Sequence, residues 1–195
     1  MAIAPARLSK QARREQLLDV AVVIVRASGA DGLTLPTLAE AAGVSRPIVY
    51  DHFGTRPGLL LALYRRLDER HRAAIARALE QASPTAADVA EAISVAYFAC
   101  ATDIPEFNAV SSALKGNPDM EAIQYELHER YTDLMAGALT PYSGLGRAAL
   151  RLRCVGVLGA AGAIADDLNR GTATTADAIA ALTGVIVGSI ERTAG

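Results

Sequence analysis

Three times between Thr34 and Pro57 a hydroxyl residue stands two positions ahead of a proline: Thr34-Leu35-Pro36, Ser45-Arg46-Pro47 and Thr55-Arg56-Pro57. A Ser or Thr at a helix N-cap accepts a hydrogen bond from an N–H of the first turn. Proline is tolerated in that same turn, because the N–H it lacks would have no intrahelical acceptor. The spacing predicts three helix starts in close succession, with helices over 35–42, 46–52 and 56–82. Gly43 lies between the first two, where a left-handed glycine lets the chain turn. Helices this short bury a face only against a longer neighbour, and Lys10–Ser28 supplies one. Leu17, Leu18, Ala21, Ile24 and Val25 recur there at the spacing of a single buried helical face, and Gly29 and Gly32 end it.

The remainder reads as helix as well. Hydrophobic residues make up 51% of the chain but aromatics only 5%, with no Trp, so the core is largely alanine and aliphatic. Alanine loses no side-chain entropy in a helix, and no sustained period-two alternation marks a strand. The fold class is all-α. Leu60, Leu63, Tyr64, Leu67 and His71 share one face of the long helix that Pro84 ends. Further helices are expected over 85–101, 105–114, 118–139, 146–170 and 175–193, about nine in all. The organisation follows: an N-terminal helical domain, 1–56, linked by the helix 56–82 to a C-terminal domain, 57–195.

Net charge is −2, yet the charge is unevenly placed. Residues 1–56 carry seven Lys/Arg (Arg7, Lys10, Arg13, Arg14, Arg26, Arg46, Arg56) against five Asp/Glu, while the rest of the chain is acidic. Attraction to phosphate depends on local charge rather than on the whole-chain sum. Cys100 and Cys154 sit in apolar helical surroundings without metal-ligand spacing, which makes buried reduced thiols the expectation. No signal-peptide pattern opens the chain, and the uncharged runs Cys154–Ala165 and Ala178–Ile190 are too short to cross a bilayer. A cytoplasmic protein with no membrane partner, cofactor or metal is expected.

Two short helices joined by Ala42-Gly43-Val44-Ser45 behind a longer first helix have helix-turn-helix spacing. The second short helix is then the reader of double-stranded DNA. Arg46 can bond O6 and N7 of a guanine together, and Pro47 and Ile48 offer apolar surface to a thymine methyl. Val44 and Val49 point back into the small core. Ser45, Tyr50, His52 and Arg56 carry donors placed for flanking phosphates, and the N–H groups at Thr34 and Thr55 direct two helix N-termini at the backbone. Arg7, Lys10, Arg13 and Arg14 are either a solvated tail or further groove and phosphate contacts. Asp51 either accepts from a cytosine amino group or faces solvent.

The run from Gly29 to Phe53 resembles the DNA-binding motif of the TetR family of transcriptional regulators. Gly29, Thr34, Ala39, Ala42-Gly43-Val44-Ser45, Tyr50 and His52-Phe53 fall on its signature positions, and Leu59 and Leu60 continue it. Arg56 stands where the family usually has Lys. The resemblance covers residues 10–65, and beyond them only helix number and length agree. It implies a homodimer on a palindromic operator, repression by promoter occlusion, and release by a small, mostly apolar effector held in the C-terminal domain.

Five of the nine aromatics lie between Tyr97 and Tyr131: Tyr97, Phe98, Phe107, Tyr125 and Tyr131. With Asn108, Gln124 and His128 as polar groups they are the candidate effector pocket; aromatics at helical spacing also build ordinary core. Gly156, Gly159 and Gly162 interrupt one late helix, with Ala163 beside them, and Gly184 and Gly188 interrupt the next. Each interior glycine costs up to about 1 kcal/mol relative to alanine, so close helix approach is the expected gain. The resemblance implies that Gly156, Gly159, Ala163, Gly184 and Gly188 serve a four-helix dimer interface; packing within one subunit would recruit the same residues.

An enzyme is the competing class. The three histidines, His52, His71 and His128, are far apart, and HExxH, a phosphate-cradling glycine loop and a G-x-S-x-G elbow are all missing. Glu126, His128 and Glu129 could mimic a carboxylate–histidine pair, although neighbouring charges on an exposed face explain them as well. A helical adaptor that kept the fold without touching DNA would be expected to lose Arg46, Tyr50, His52 and Arg56, and all four are present.

Overall fold

The computed structural model describes residues 8–103 and 105–191, and their side chains except at 100–103, 105 and 108. Arg7 and the side chains of Cys100 and Asn108 lie outside the described residues. The described residues form nine α-helices: α1 Lys10–Ser28, α2 Leu35–Ala41, α3 Arg46–Phe53, α4 Arg56–Gln81, α5 Ala86–Asp103, α6 Pro105–Ala113, α7 Pro118–Leu139, α8 Arg147–Asn169 and α9 Thr175–Ile190. Two short 3-10 turns, Ala30–Gly32 and Thr140–Tyr142, escape the periodicity reading because three residues are too few to show a period.

Two of the three expected caps form. The Thr34 hydroxyl accepts from the Thr37 N–H at 3.2 Å, and the Thr55 hydroxyl accepts from the Gly58 N–H at 3.1 Å. Ser45 stands at the N-cap of α3 without a side-chain hydrogen bond, so its hydroxyl is not spent on the helix. Gly43, at φ +64°, closes α2: its N–H reaches the Glu40 carbonyl and that of Val44 reaches Ala39. At the next junction a Cβ on Gly58 would collide with the Phe53 carbonyl oxygen, so glycine lets α4 begin tight against the end of α3.

The chain divides into two compact units, Met1–Leu67 with Pro105–Met120, and Asp68–Ile104 with Glu121–Gly195. This differs from the expected division at Arg56 in two respects. The boundary falls inside α4, because Leu59, Leu60, Leu63, Tyr64 and Leu67 are buried along its first half and belong to the N-terminal unit. Helix α6 also joins that unit. Its Phe107 stacks on Tyr64 with ring centroids 4.6 Å apart, and its Glu106 pairs with Arg26 of α1.

In the second unit α5, α8 and α9 share a core of Val89, Ile93, Phe98, Cys154, Leu182 and Ile186, to which α7 adds Met135 and Leu139. Cys154 is a free, buried thiol whose pKa burial pushes up. Arg153 of α8 donates to the carbonyls of Ser189 and Glu191, satisfying acceptors at the end of α9. Helix α8 is long and apolar enough to cross a membrane by length and composition alone. Two of its three arginines are engaged within this unit, Arg153 as described and Arg151 with Glu129 and Asp133.

Candidate functional site

Helix α3 is short, and its presentation depends on what holds it. Val49 is fully buried and Phe53 nearly so, which leaves Arg46, Pro47, Ile48, Tyr50 and Asp51 exposed around the rest of its circumference. Val44, expected in the core, is half-buried. Helix α1 steadies the far end of α3: an Arg14 guanidinium N–H donates to the His52 carbonyl at 3.0 Å, and its carbon lies 4.9 Å from the Phe53 ring centroid. Arg14 therefore acts as a clamp on α3. Arg13 donates to Gln16, and Lys10 pairs with Asp51 at 3.1 Å. The Lys10–Asp51 pair gives Asp51 a partner that the linear sequence does not reveal.

Among the described residues no hydrogen bond or ion pair engages the side chains of Ser45, Arg46 or Tyr50. Burial lowers the pKa of His52 and so do Lys10, Arg14 and Arg13, with Asp51 opposing them. Whatever its charge, the imidazole can donate a ring N–H to a phosphate.

Three expected phosphate donors are already in use. The Thr34 N–H goes to the Thr37 hydroxyl at 2.9 Å and the Thr55 N–H to the Phe53 carbonyl at 2.7 Å. Neither is a free N-terminal donor, because a capping box and a tight turn satisfy them. Arg56 is committed too: Nε donates to the Leu33 carbonyl at 3.0 Å and one terminal nitrogen to the Ala30 carbonyl at 2.8 Å. Two loop carbonyls within reach of one planar fork make it a staple between the start of α4 and the turn after α1. Arg56→Ala is therefore expected to lower stability by about 2 kcal/mol in urea unfolding while leaving the salt dependence of DNA binding unchanged. Unchanged stability with a salt slope reduced by about one contact would instead return Arg56 to the phosphates.

The expected effector residues do not come together. Phe107 belongs to the first unit, and Tyr125 and His128 lie exposed on α7, as does Gln124. Glu126 pairs with Arg130 and Glu129 with Arg151, so the Glu126–His128–Glu129 cluster is an ion-paired surface. Phe98 is fully buried core. Tyr97 and Tyr131 do converge, around a residue the sequence reading did not place in the site. The His71 ring of α4 lies 6.2 Å from Tyr97 and 5.3 Å from Tyr131. It is buried, and desolvation pushes its pKa down to about 4. Asp68, one turn earlier, is buried as well; burial raises its pKa against the pull of Arg72, whose Nε donates to it at 2.8 Å. A separate cavity of about 460 Å³ opens between α7 and α8, lined by Asp133, Thr140, Leu145, Arg147 and Leu150 among others, and none of the expected effector residues lines it.

The expected interface residues share one orientation. Gly156, Gly159 and Ala163 are exposed on α8, in line with Leu152, which is 72% exposed. Gly184 and Gly188 are exposed on α9 beside Val185. A Cβ added at any of these four glycines, or at Gly162, would meet nothing within 4 Å, so packing inside one subunit does not require them.

Comparison with known proteins centres on the N-terminal unit. A family described as bacterial regulatory proteins, tetR family, matches residues 17–63. Over 58 residues the chain is 38% identical to the HTH-type transcriptional regulator BetI of Paraburkholderia phymatum, a match covering 30% of this chain and 30% of that relative. Among solved structures, a protein with unknown function from Rhodococcus sp. RHA1 has a TM-score of 0.77 at 25% identity, covering 98% of this chain and all (100%) of that one. The fatty acid degradation regulator FadR from Bacillus halodurans has a TM-score of 0.67 at 16% identity, with coverage of 100% and 99%. A TetR-like transcriptional regulator from Rhodococcus sp. RHA1 has a TM-score of 0.62 at 20% identity, with coverage of 92% and 96%. The last two likenesses concern the fold.

Proposed function

We propose that this chain, which belongs to the tetR family of bacterial regulatory proteins, binds a palindromic operator as a homodimer, represses by occluding the promoter, and is released by a small, mostly apolar effector. The observation that carries this reading is the outward face of α3. Arg46, Pro47, Ile48 and Tyr50 are all exposed, while Val49, Phe53 and the Arg14 clamp hold the helix in place. A rigid helix with an unspent exposed face is what insertion into a major groove needs. In this reading Arg46 takes a guanine, Pro47 and Ile48 take thymine methyl surface, and Ser45, Tyr50 and His52 meet phosphates.

Dimerisation is supported by the two exposed stripes of small residues on α8 and α9. Glycines there lower helix stability without filling any close contact in the subunit, and a second copy laid across them supplies the offsetting gain. The effector reading moves from the expected aromatic list to His71, Tyr97 and Tyr131. A neutral imidazole beside two phenol rings, one turn from the Asp68–Arg72 pair, offers polar handles suited to an uncharged or weakly polar ligand.

The test is a selection of bound duplexes from a randomised pool, run with the wild-type chain and with Leu152→Glu. The wild type should select an inverted repeat with half-sites about one helical turn apart and sediment as a dimer. Leu152→Glu should remain folded, because the residue is exposed in the subunit, yet sediment as a monomer and lose the operator. Selection of no sequence, or a dimer untouched by Leu152→Glu, would contradict the respective part of the reading.

A further inference from the structure

Among the residues exposed on α3, Asp51 is the odd one, because it would carry a negative charge toward a negatively charged duplex. Its position makes the oddity sharper. With about 3.6 residues per turn, the direction opposite the buried pair Val49 and Phe53 is occupied by Asp51, with Pro47 and Ile48 on either side. If α3 enters a major groove with its buried side away from the DNA, Asp51 stands at the centre of the inserted face. A carboxylate there accepts hydrogen bonds and donates none. The major-groove edges that offer it a donor are the cytosine N4 and adenine N6 amino groups; adenine also presents N7, an acceptor that repels it.

The structure also places a counter-charge. Lys10, the first residue of α1, holds its ammonium 3.1 Å from the Asp51 carboxylate, and both side chains are exposed. The pair joins the start of α1 to the outward face of α3, so Asp51 approaches the phosphates with its charge already balanced. A surface pair of this kind contributes little to stability. Its effect lies in what it allows α3 to carry into the groove.

We infer that Asp51 is a specificity-determining residue that reads a cytosine amino group at one position of each half-site, with Lys10 as the neutralising partner that makes a carboxylate tolerable there. This rests on the DNA-binding reading above and deepens it by naming one base. Lys10 then acts on affinity for all sequences, and Asp51 acts on preference at a single position.

The experiment is the randomised-duplex selection repeated with Asp51→Asn, Asp51→Ala and Lys10→Gln in the full chain, each checked for native helicity. The wild type should show one cytosine per half-site that Asp51→Ala no longer prefers, with discrimination falling on the order of tenfold to a hundredfold. Asp51→Asn should move that position to adenine, whose N6 and N7 match a side-chain amide. Lys10→Gln should weaken binding to all sequences while keeping the cytosine. A wild-type site whose base preferences survive both Asp51 substitutions would overturn the assignment and leave the DNA-binding reading standing. A wild type that selects no site would overturn both.

Discussion

Arg26→Ala should cost the folded protein about 3 kcal/mol, with most of that loss recovered when Glu106 is replaced by leucine in the same chain. Glu106 of α6 is 1% exposed, and one of its carboxylate oxygens accepts from Nε of Arg26 at 2.5 Å. The other oxygen is buried without a hydrogen-bond partner among the described residues. Arg26 lies mostly in solvent, so the burial is one-sided: the carboxylate carries the desolvation and the guanidinium offsets it. Removing the cation leaves a buried charge uncompensated, which typically costs 3–5 kcal/mol; the exposed cation places this case at the low end. Removing both charges eliminates the unpaired group. Urea unfolding of Arg26→Ala, Glu106→Leu and the double variant measures the difference, and a double variant as unstable as Arg26→Ala alone would contradict the account.

The second large effect depends on pH. His71 would protonate near 6.5 in the unfolded chain, whereas burial pushes its folded pKa down to about 4. Between those values the unfolded state binds a proton that the folded state refuses, so stability falls as pH drops through that window. The full difference is about 3 kcal/mol, of which about 2 kcal/mol should be lost between pH 7 and pH 5. Asp68 works in the opposite sense. Burial raises its folded pKa above 3.8, so acidification relieves the cost of its buried charge. Comparison with His71→Phe isolates the imidazole, since Asp68 is common to both proteins. Urea midpoints at pH 7 and pH 5 should converge in His71→Phe relative to the wild type. Equal pH dependence in the two proteins would mean that His71 is not held neutral by the fold.

What was legible in the sequence was local chemistry. The hydroxyl–x–proline starts place α2, α3 and α4, because a cap and a missing N–H act within one turn. Gly43 marks the turn between α2 and α3 for the same reason, with its positive φ. What stayed hidden depends on partners distant in sequence. Arg26 and Glu106 are 80 residues apart, and neither position is unusual for its own helix. Arg56 looked like a phosphate donor because its acceptors are backbone carbonyls 23 and 26 residues earlier, which leave no mark in residue type. Asp51 looked unpaired because Lys10 reaches it from another helix. The effector candidates lie close to one another along the chain, and the fold scatters them. Phe107 goes to one unit and Tyr125 to the surface, while His71 arrives from α4. A lone histidine on an otherwise apolar face, among Leu60, Leu63 and Leu67, was the available signal for that centre.

The most direct test of the central claim is the affinity of wild type and Arg46→Ala for the selected duplex and for a scrambled duplex, at two salt concentrations. If the outward face of α3 reads sequence, Arg46→Ala should lose about 1–3 kcal/mol on the selected duplex and much less on the scrambled one, with relaxed preference at one position per half-site. Equal losses on both duplexes, or none on either, would contradict the claim that this face reads bases.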